Sequence, residues 1–184
     1  MGSGVATYVA ANRDIEKLIL ITPFDSIQAV AQEKLDVEII FHSAPMHDIG
    51  KITIPHHILC KPDKLTAEEF EIMKTHTTRA AEVMRISKRK FMKAAEVIAL
   101  QHHEKWDGTG YPQGLSGNQI HIYARIVAVA DVFDALSHKR VYKEAWSLED
   151  ATNYIMEHSG THFDPELTEI FAEHLDEFKA IAQS

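Results

Sequence analysis

Six residues of this chain form a set of potential metal ligands: His47 with Asp48, His76, His102 with His103, and Asp131. They are imidazoles and carboxylates with no thiolate. Such a nitrogen and oxygen set suits iron, manganese or zinc better than a sulfur-ligated structural zinc. Their spacing turns them inward. His76 lies three residues after Met73 and four before Ala80, on the apolar side of a helix. His102 follows Ile98 by four and His103 follows Ala99 by four, so both lean toward the core at a helix end. Asp131 interrupts the run Ile126-Val127-Ala128-Val129-Ala130 in the most apolar helix. An ionised carboxylate there needs a strong partner, because an unpaired buried charge is very costly.

Each residue also has a plainer role open to it. One histidine on an apolar face is commonly a hydrogen-bonded core residue. His102 and His103 could complement the negative end of a helix dipole. Asp131 could pair with Arg125 or Arg140. Six such coincidences are harder to accept together, and the group reads as a metal site. Lys51, three residues after Asp48 and four after His47, falls on the same helical face as that pair. A lysine beside a metal pair is repelled unless an anion lies between them, which makes Lys51 a candidate phosphate contact.

The elements that must position these groups are helical. Helices are expected over about 5–22, 25–34 and 36–51, the first stopped by Pro23. Thr66 and Glu69 form a capping box that opens a helix running to about Ile86. Another spans Lys88 or Arg89 to His103. The 19 residues Glu104 to Ile122 hold four of the eight glycines and almost no helical signal. A loop of that length in a small domain is usually functional. Helices resume at about Tyr123–Ser137, after Ser147, and after Asp164-Pro165, an N-cap followed by proline at the first helical position and the opening of the last helix. No period-two strand pattern persists, so the fold class is all-α.

Composition bounds the function. The 184 residues suit one domain. The longest apolar stretch is five residues, so no membrane span is expected in this segment. The single cysteine, Cys60, rules out an internal disulfide, and the expected location is the cytoplasm. A net charge of −8 argues against loose binding to DNA, RNA or anionic membranes. A phosphorylated ligand must therefore be held by a local positive site.

Several runs together carry a family resemblance. His47-Asp48-Ile49-Gly50-Lys51 and the 11 residues His102-His103-Glu104-Lys105-Trp106-Asp107-Gly108-Thr109-Gly110-Tyr111-Pro112 resemble the signatures of HD-GYP domains. These domains are a branch of the HD metal-dependent phosphohydrolases. Asp131 to Leu136, Arg140-Val141-Tyr142 and Gly160 to Pro165 also match, so the likeness covers about residues 43 to 175. It divides the chain into residues 1–42, an N-terminal helical segment that matches poorly, and an HD-GYP-like domain over 43–184.

The resemblance implies an HD-type helical bundle with a long Gly-rich loop and a binuclear divalent metal centre, iron first, with manganese or zinc as alternatives. It implies hydrolysis of cyclic di-GMP to pGpG or GMP, or of a related cyclic dinucleotide, in bacterial signalling. It assigns His47, Asp48, His76, His102, His103 and Asp131 as metal ligands, with Asp48 bridging. Asp48 and Lys51 become the catalytic pair, and Lys51, Arg140 and Lys143 the phosphate or guanine contacts. Gly110, Tyr111 and Pro112 become the loop linked to substrate access and to docking of GGDEF-domain partners; a homodimer is a further expectation. The alternative is a non-catalytic module that binds the nucleotide or a GGDEF partner. The family pattern also places a histidine on a helix ahead of the His-Asp pair. The first histidine here is His42, five residues before His47 and about 140° away on a regular helix.

Overall fold

A computed structural model describes residues 37–138 and 145–182. The expected helices over 5–22 and 25–34 lie outside the described residues, as do Arg140 and Lys143. Among the described residues eight α-helices follow one another: α1 (Val37–Ser43), α2 (His56–Leu59), α3 (Ala67–Arg85), α4 (Lys90–Gln101), α5 (Ile122–Ser137), α6 (Leu148–Glu157), α7 (Pro165–Glu173) and α8 (Leu175–Ala182). No strand occurs among the described residues, and Ser159 and Phe163 form one isolated bridge. The domain is all-α, as its sequence implies.

Local chemistry sets most of the boundaries. At the start of α3 the Thr66 hydroxyl accepts from Glu69 N–H while the Glu69 carboxylate accepts from Thr66 N–H. Ser147 caps α6 through Asp150 N–H. Asp164 caps α7 through Glu166 N–H, with Pro165 at the first helical position. His121 caps α5 by accepting from Tyr123 N–H.

Two expectations are corrected. The helix expected over 36–51 ends at Ser43, because Pro45 has no N–H to give and its ring clashes with the preceding turn. Two short 3₁₀ turns replace it, Ala44–Met46 and Ile49–Thr53, with Asp48 between them. Residues three apart eclipse in a 3₁₀ turn, so Lys51 still reaches Asp48 although the α-helical face is gone. The helix after Asp164 is also not the last, since the chain breaks at His174 and resumes as α8.

Two buried clusters hold the bundle. The larger wraps α5, with Ile126, Val127, Val129, Ala130 and Phe133 packed on residues of α1, α4, α6, α7 and α8. Phe133, Phe171 and Phe178 meet edge to face with centroids 4.6 to 6.0 Å apart. The smaller cluster is built from Ala80, Met84, Ala95 and Ala99 between α3 and α4. Alanine on both faces lets two helices approach closely. That approach places His76 of α3 beside His102 and His103 at the end of α4, with ring centroids 5.5 and 5.1 Å apart.

Gly50 completes the frame. A Cβ at that position would sit 1.9 Å from the His76 carbonyl oxygen and 2.8 Å from its carbon, so only glycine allows the 49–53 turn to lie on α3. Gly50→Ala is therefore expected to destabilise the domain by about 1–3 kcal/mol. The check is thermal denaturation, where Tm should fall by several degrees; an unchanged Tm would show that the contact relaxes freely.

Candidate metal centre

The six expected ligand residues converge. Asp48, His76, His102 and His103 place one ligand atom each within 4.8 Å of one another. His47 joins through its Nε2, 3.4 Å from Asp48 Oδ2, and the same nitrogen lies 3.8 Å from Asp131 Oδ1. The two oxygens of Asp48 face different partners. Oδ2 faces His47 and the Lys51 ammonium, whereas Oδ1 faces His76 Nε2 at 3.3 Å and His102 Nε2 at 3.8 Å. One carboxylate thus stands between two histidine groups.

Each of three histidines is aimed by a backbone carbonyl. The Nδ1 atoms of His47, His76 and His102 lie 2.8 Å from Ala44 O, 2.8 Å from Met73 O and 3.0 Å from Ala99 O. A carbonyl can only accept, so it fixes the tautomer: Nδ1 carries the proton and Nε2 keeps its lone pair. Those three Nε2 atoms point at Asp48. Together with Asp48 Oδ1 they are buried with no hydrogen-bond partner. Buried polar atoms are almost always paired, so four orphans in one cluster mark a place for a cation. The donor set fits a divalent metal centre.

Electrostatics agree with that fit at His76, His102 and His103, whereas a cation at His47 must displace a proton. Burial and then its neighbouring histidines hold His102 well below the usual imidazole range. Burial, and next His76, push His103 down to about 3, and burial also lowers His76. These rings stay neutral and able to ligate. His47 differs: burial alone would lower it, but the carboxylates of Asp48 and Asp131 outweigh burial and lift it to about 9. Burial alone would raise Asp48, but His47, Lys51 and His102 overcome it and keep that carboxyl well below its usual range. Asp131 is partly exposed and faces His47. Arg125, one partner open to it from sequence, instead pairs with Asp164.

Other histidines stand apart. His42 is exposed and packs edge-on against Phe41, and His56 and His57 are exposed on α2. His138 meets Asp134 at 3.0 Å, and His162 stacks on Phe163.

The Gly-rich loop forms one wall, and sequence reasoning missed what holds it. Glu104 is only 2% exposed, and its two carboxylate oxygens accept from Gln113 N–H at 2.7 Å and Leu115 N–H at 2.9 Å. The loop folds back over its own first residues. At Gly110 a Cβ would lie 2.3 Å from Lys105 N and 2.5 Å from Glu104 Cα, so this close return requires glycine. Tyr111 N–H then donates to His103 O, and the Tyr111 ring stacks on the His103 ring at 4.8 Å. Trp106 N–H and Asp107 N–H donate to His162 O and Thr161 O, and the Arg125 guanidinium lies 5.6 Å from the Trp106 ring. The signal available was a carboxylate directly after the two candidate ligand histidines, at the mouth of a long loop with little helical signal.

Comparison with known proteins agrees with this geometry. A family model described as HD domain matches residues 24–167. The chain is 48% identical over 149 residues to the 3'3'-cGAMP-specific phosphodiesterase 2 of Vibrio cholerae, covering 81% of this chain and 28% of that protein. It is 50% identical over 130 residues to the cyclic di-GMP phosphodiesterase response regulator RpfG of Xanthomonas campestris, covering 71% and 34%. The chain thus spans about a third of the length of these relatives. Among solved structures, a cyclic GMP-AMP-specific phosphodiesterase of Vibrio cholerae has the same fold, with a TM-score of 0.64 at 19% identity, covering 97% of this chain and 50% of that one. No helix among the described residues is long and apolar enough to cross a membrane.

Because Asp48 serves both histidine groups, Asp48→Ala is expected to lower metal content further than any single histidine-to-alanine change. Elemental analysis of the purified variants checks this. An Asp48→Ala protein that keeps a full complement of metal would remove Asp48 from the centre of the site.

Proposed function

Since the chain belongs to the HD domain family, in its HD-GYP branch, we propose that it is a metal-dependent phosphodiesterase that hydrolyses cyclic di-GMP or a related guanine-containing cyclic dinucleotide. One observation carries this reading. Three carbonyl-anchored histidines direct Nε2 atoms that have no hydrogen-bond partner at the shared carboxylate of Asp48. The relatives' names supply the substrate class, and the convergence of these six side chains favours turnover over a module that only binds.

His47 and Asp131 would hold one ion and His76, His102 and His103 the other, with Asp48 shared. Iron is the first choice and manganese or zinc the alternatives, since all three accept imidazole and carboxylate ligands. A divalent pair supplies Lewis acidity and water activation at neutral pH when bound.

The chain's own residues do the remaining work. Asp48 holds the two ligand groups in register. Lys51, whose ammonium pairs with Asp48, turns to the scissile phosphate once Asp48 is fully engaged, and gives the acidic domain a local positive contact for a dianionic ligand. Arg140 and Lys143 are proposed as further phosphate or guanine contacts. The wall of Gly110, Tyr111 and Pro112 narrows the approach to the site and excludes water from one side. Its outer edge, where Pro112 and Gln113 are exposed, is the surface proposed for a GGDEF-domain partner. The same reading takes residues 43–184 as the catalytic unit and the cytoplasm, where the nucleotide is made, as the place of action.

Cyclic di-GMP turnover by anaerobically purified protein, with metal analysis on the same sample, tests the reading. Steady hydrolysis to pGpG or GMP that stops on chelation and returns with ferrous or manganous ion is expected. Nucleotide binding without hydrolysis at full metal content would contradict it. Within that assay, Lys51→Ala should retain its metal and lose about ten- to a hundred-fold in kcat/KM, the size of one charge-assisted phosphate contact. Unchanged kinetics would return Lys51 to the role of a surface residue.

A further inference from the structure

Beside the cluster, on the outer side of α3, stands an aromatic residue that the bundle does not need. The buried side of α3 is His76, Thr77, Ala80, Ala81 and Met84. Phe70 is not among them, and its side chain is 45% exposed. It is nevertheless held in place. Its ring meets Tyr111 nearly at right angles, with centroids 6.0 Å apart. Tyr111 in turn stacks on His103, and His103 belongs to the metal-ligating group. An unbroken ladder of rings therefore runs from the metal site to Phe70.

A cation completes the arrangement. The Lys74 ammonium lies 5.6 Å from the Phe70 centroid and 5.7 Å from that of Tyr111, fixed by Glu71 at 2.7 Å. An apolar ring left in water has a hydration cost, and this one is braced by a tyrosine and a lysine rather than covered. The arrangement suits a flat, electron-rich ligand whose other end reaches the cluster.

We infer that Phe70, braced by Tyr111 and Lys74, is a stacking subsite for a purine base of the substrate. The inference rests on the proposed hydrolysis of a cyclic dinucleotide and assigns the site its base contact. A nucleotide with its phosphate at the cluster has its base about one sugar away, and Phe70 lies two ring contacts from His103. Every base has a π-face, and a purine offers the larger one. The Lys74 ammonium beside the rings can also donate to O6 or N7 at the edge of guanine.

The test measures binding rather than turnover. Manganese-loaded protein is titrated with GMP and with ribose 5-phosphate, which keeps the phosphate and sugar and lacks the base. Wild type is expected to bind GMP more tightly. Phe70→Ala should lose GMP affinity by roughly five- to a hundred-fold, the measured range for one base stacked on one aromatic, with ribose 5-phosphate affinity held. Phe70→Trp should restore it. No GMP binding by wild type, equal affinity for the two ligands, or a GMP preference that survives in Phe70→Ala would each overturn the subsite. A base-dependent loss in protein that binds GMP but never hydrolyses cyclic di-GMP would uphold the subsite and contradict the hydrolase reading instead.

Discussion

Four buried polar atoms, three imidazole Nε2 and one oxygen of Asp48, face one another without a hydrogen bond between them. Leaving a buried polar group unpaired costs about 1–3 kcal/mol. Four together approach the whole stability of an ordinary domain, about 5–15 kcal/mol. A fold that gathers them must recover that cost from something that binds there, and a cation that accepts lone pairs does so. The remaining features keep these atoms pointed at one another. Carbonyls of Ala44, Met73 and Ala99 hold the imidazole protons away from the centre. The alanine interface between α3 and α4 sets the distance from His76 to His102 and His103, and Gly50 lets the turn after Asp48 lie on α3.

The same economy governs the loop. Several of its backbone donors turn to carbonyls of the loop itself or of residues 161 and 162, and Glu104 takes two more with a single buried carboxylate. Glu104 follows His103 directly, so the residue that ties the loop together is fixed to the candidate ligand pair His102-His103. The Tyr111 ring comes to rest on His103 as a consequence, and the site acquires an aromatic wall. Arg125 bridges from α5 to the α7 cap at Asp164 and to the loop at Trp106, which couples the far side of the bundle to the same wall.

Much of this was legible in the sequence because it is local. Thr66 with Glu69, Ser147 with Asp150, and Asp164 with Pro165 announce helix starts within four residues, and the structure has them there. The inward turn of His76 follows from helix periodicity and that of His102 from its place at the C-cap of α4, while His103 lies just past the helix end. The helix expected over 36–51 breaks at Pro45, whose missing N–H and ring end it despite the residues that would continue it on either side. Features that depend on the chain returning from a distance were hidden. The partner of Arg125 lies 39 residues away and the partners of Glu104 are 9 and 11 residues ahead. No spacing rule reaches the contact between Phe70 and Tyr111.

X-ray anomalous scattering from crystals of the manganese-loaded protein tests the central claim most directly. The account predicts two anomalous peaks, one beside each carboxylate oxygen of Asp48, with His47 and Asp131 around the first and His76, His102 and His103 around the second. Absence of anomalous density among these side chains, or a bound ion that Asp48 does not touch, would contradict it.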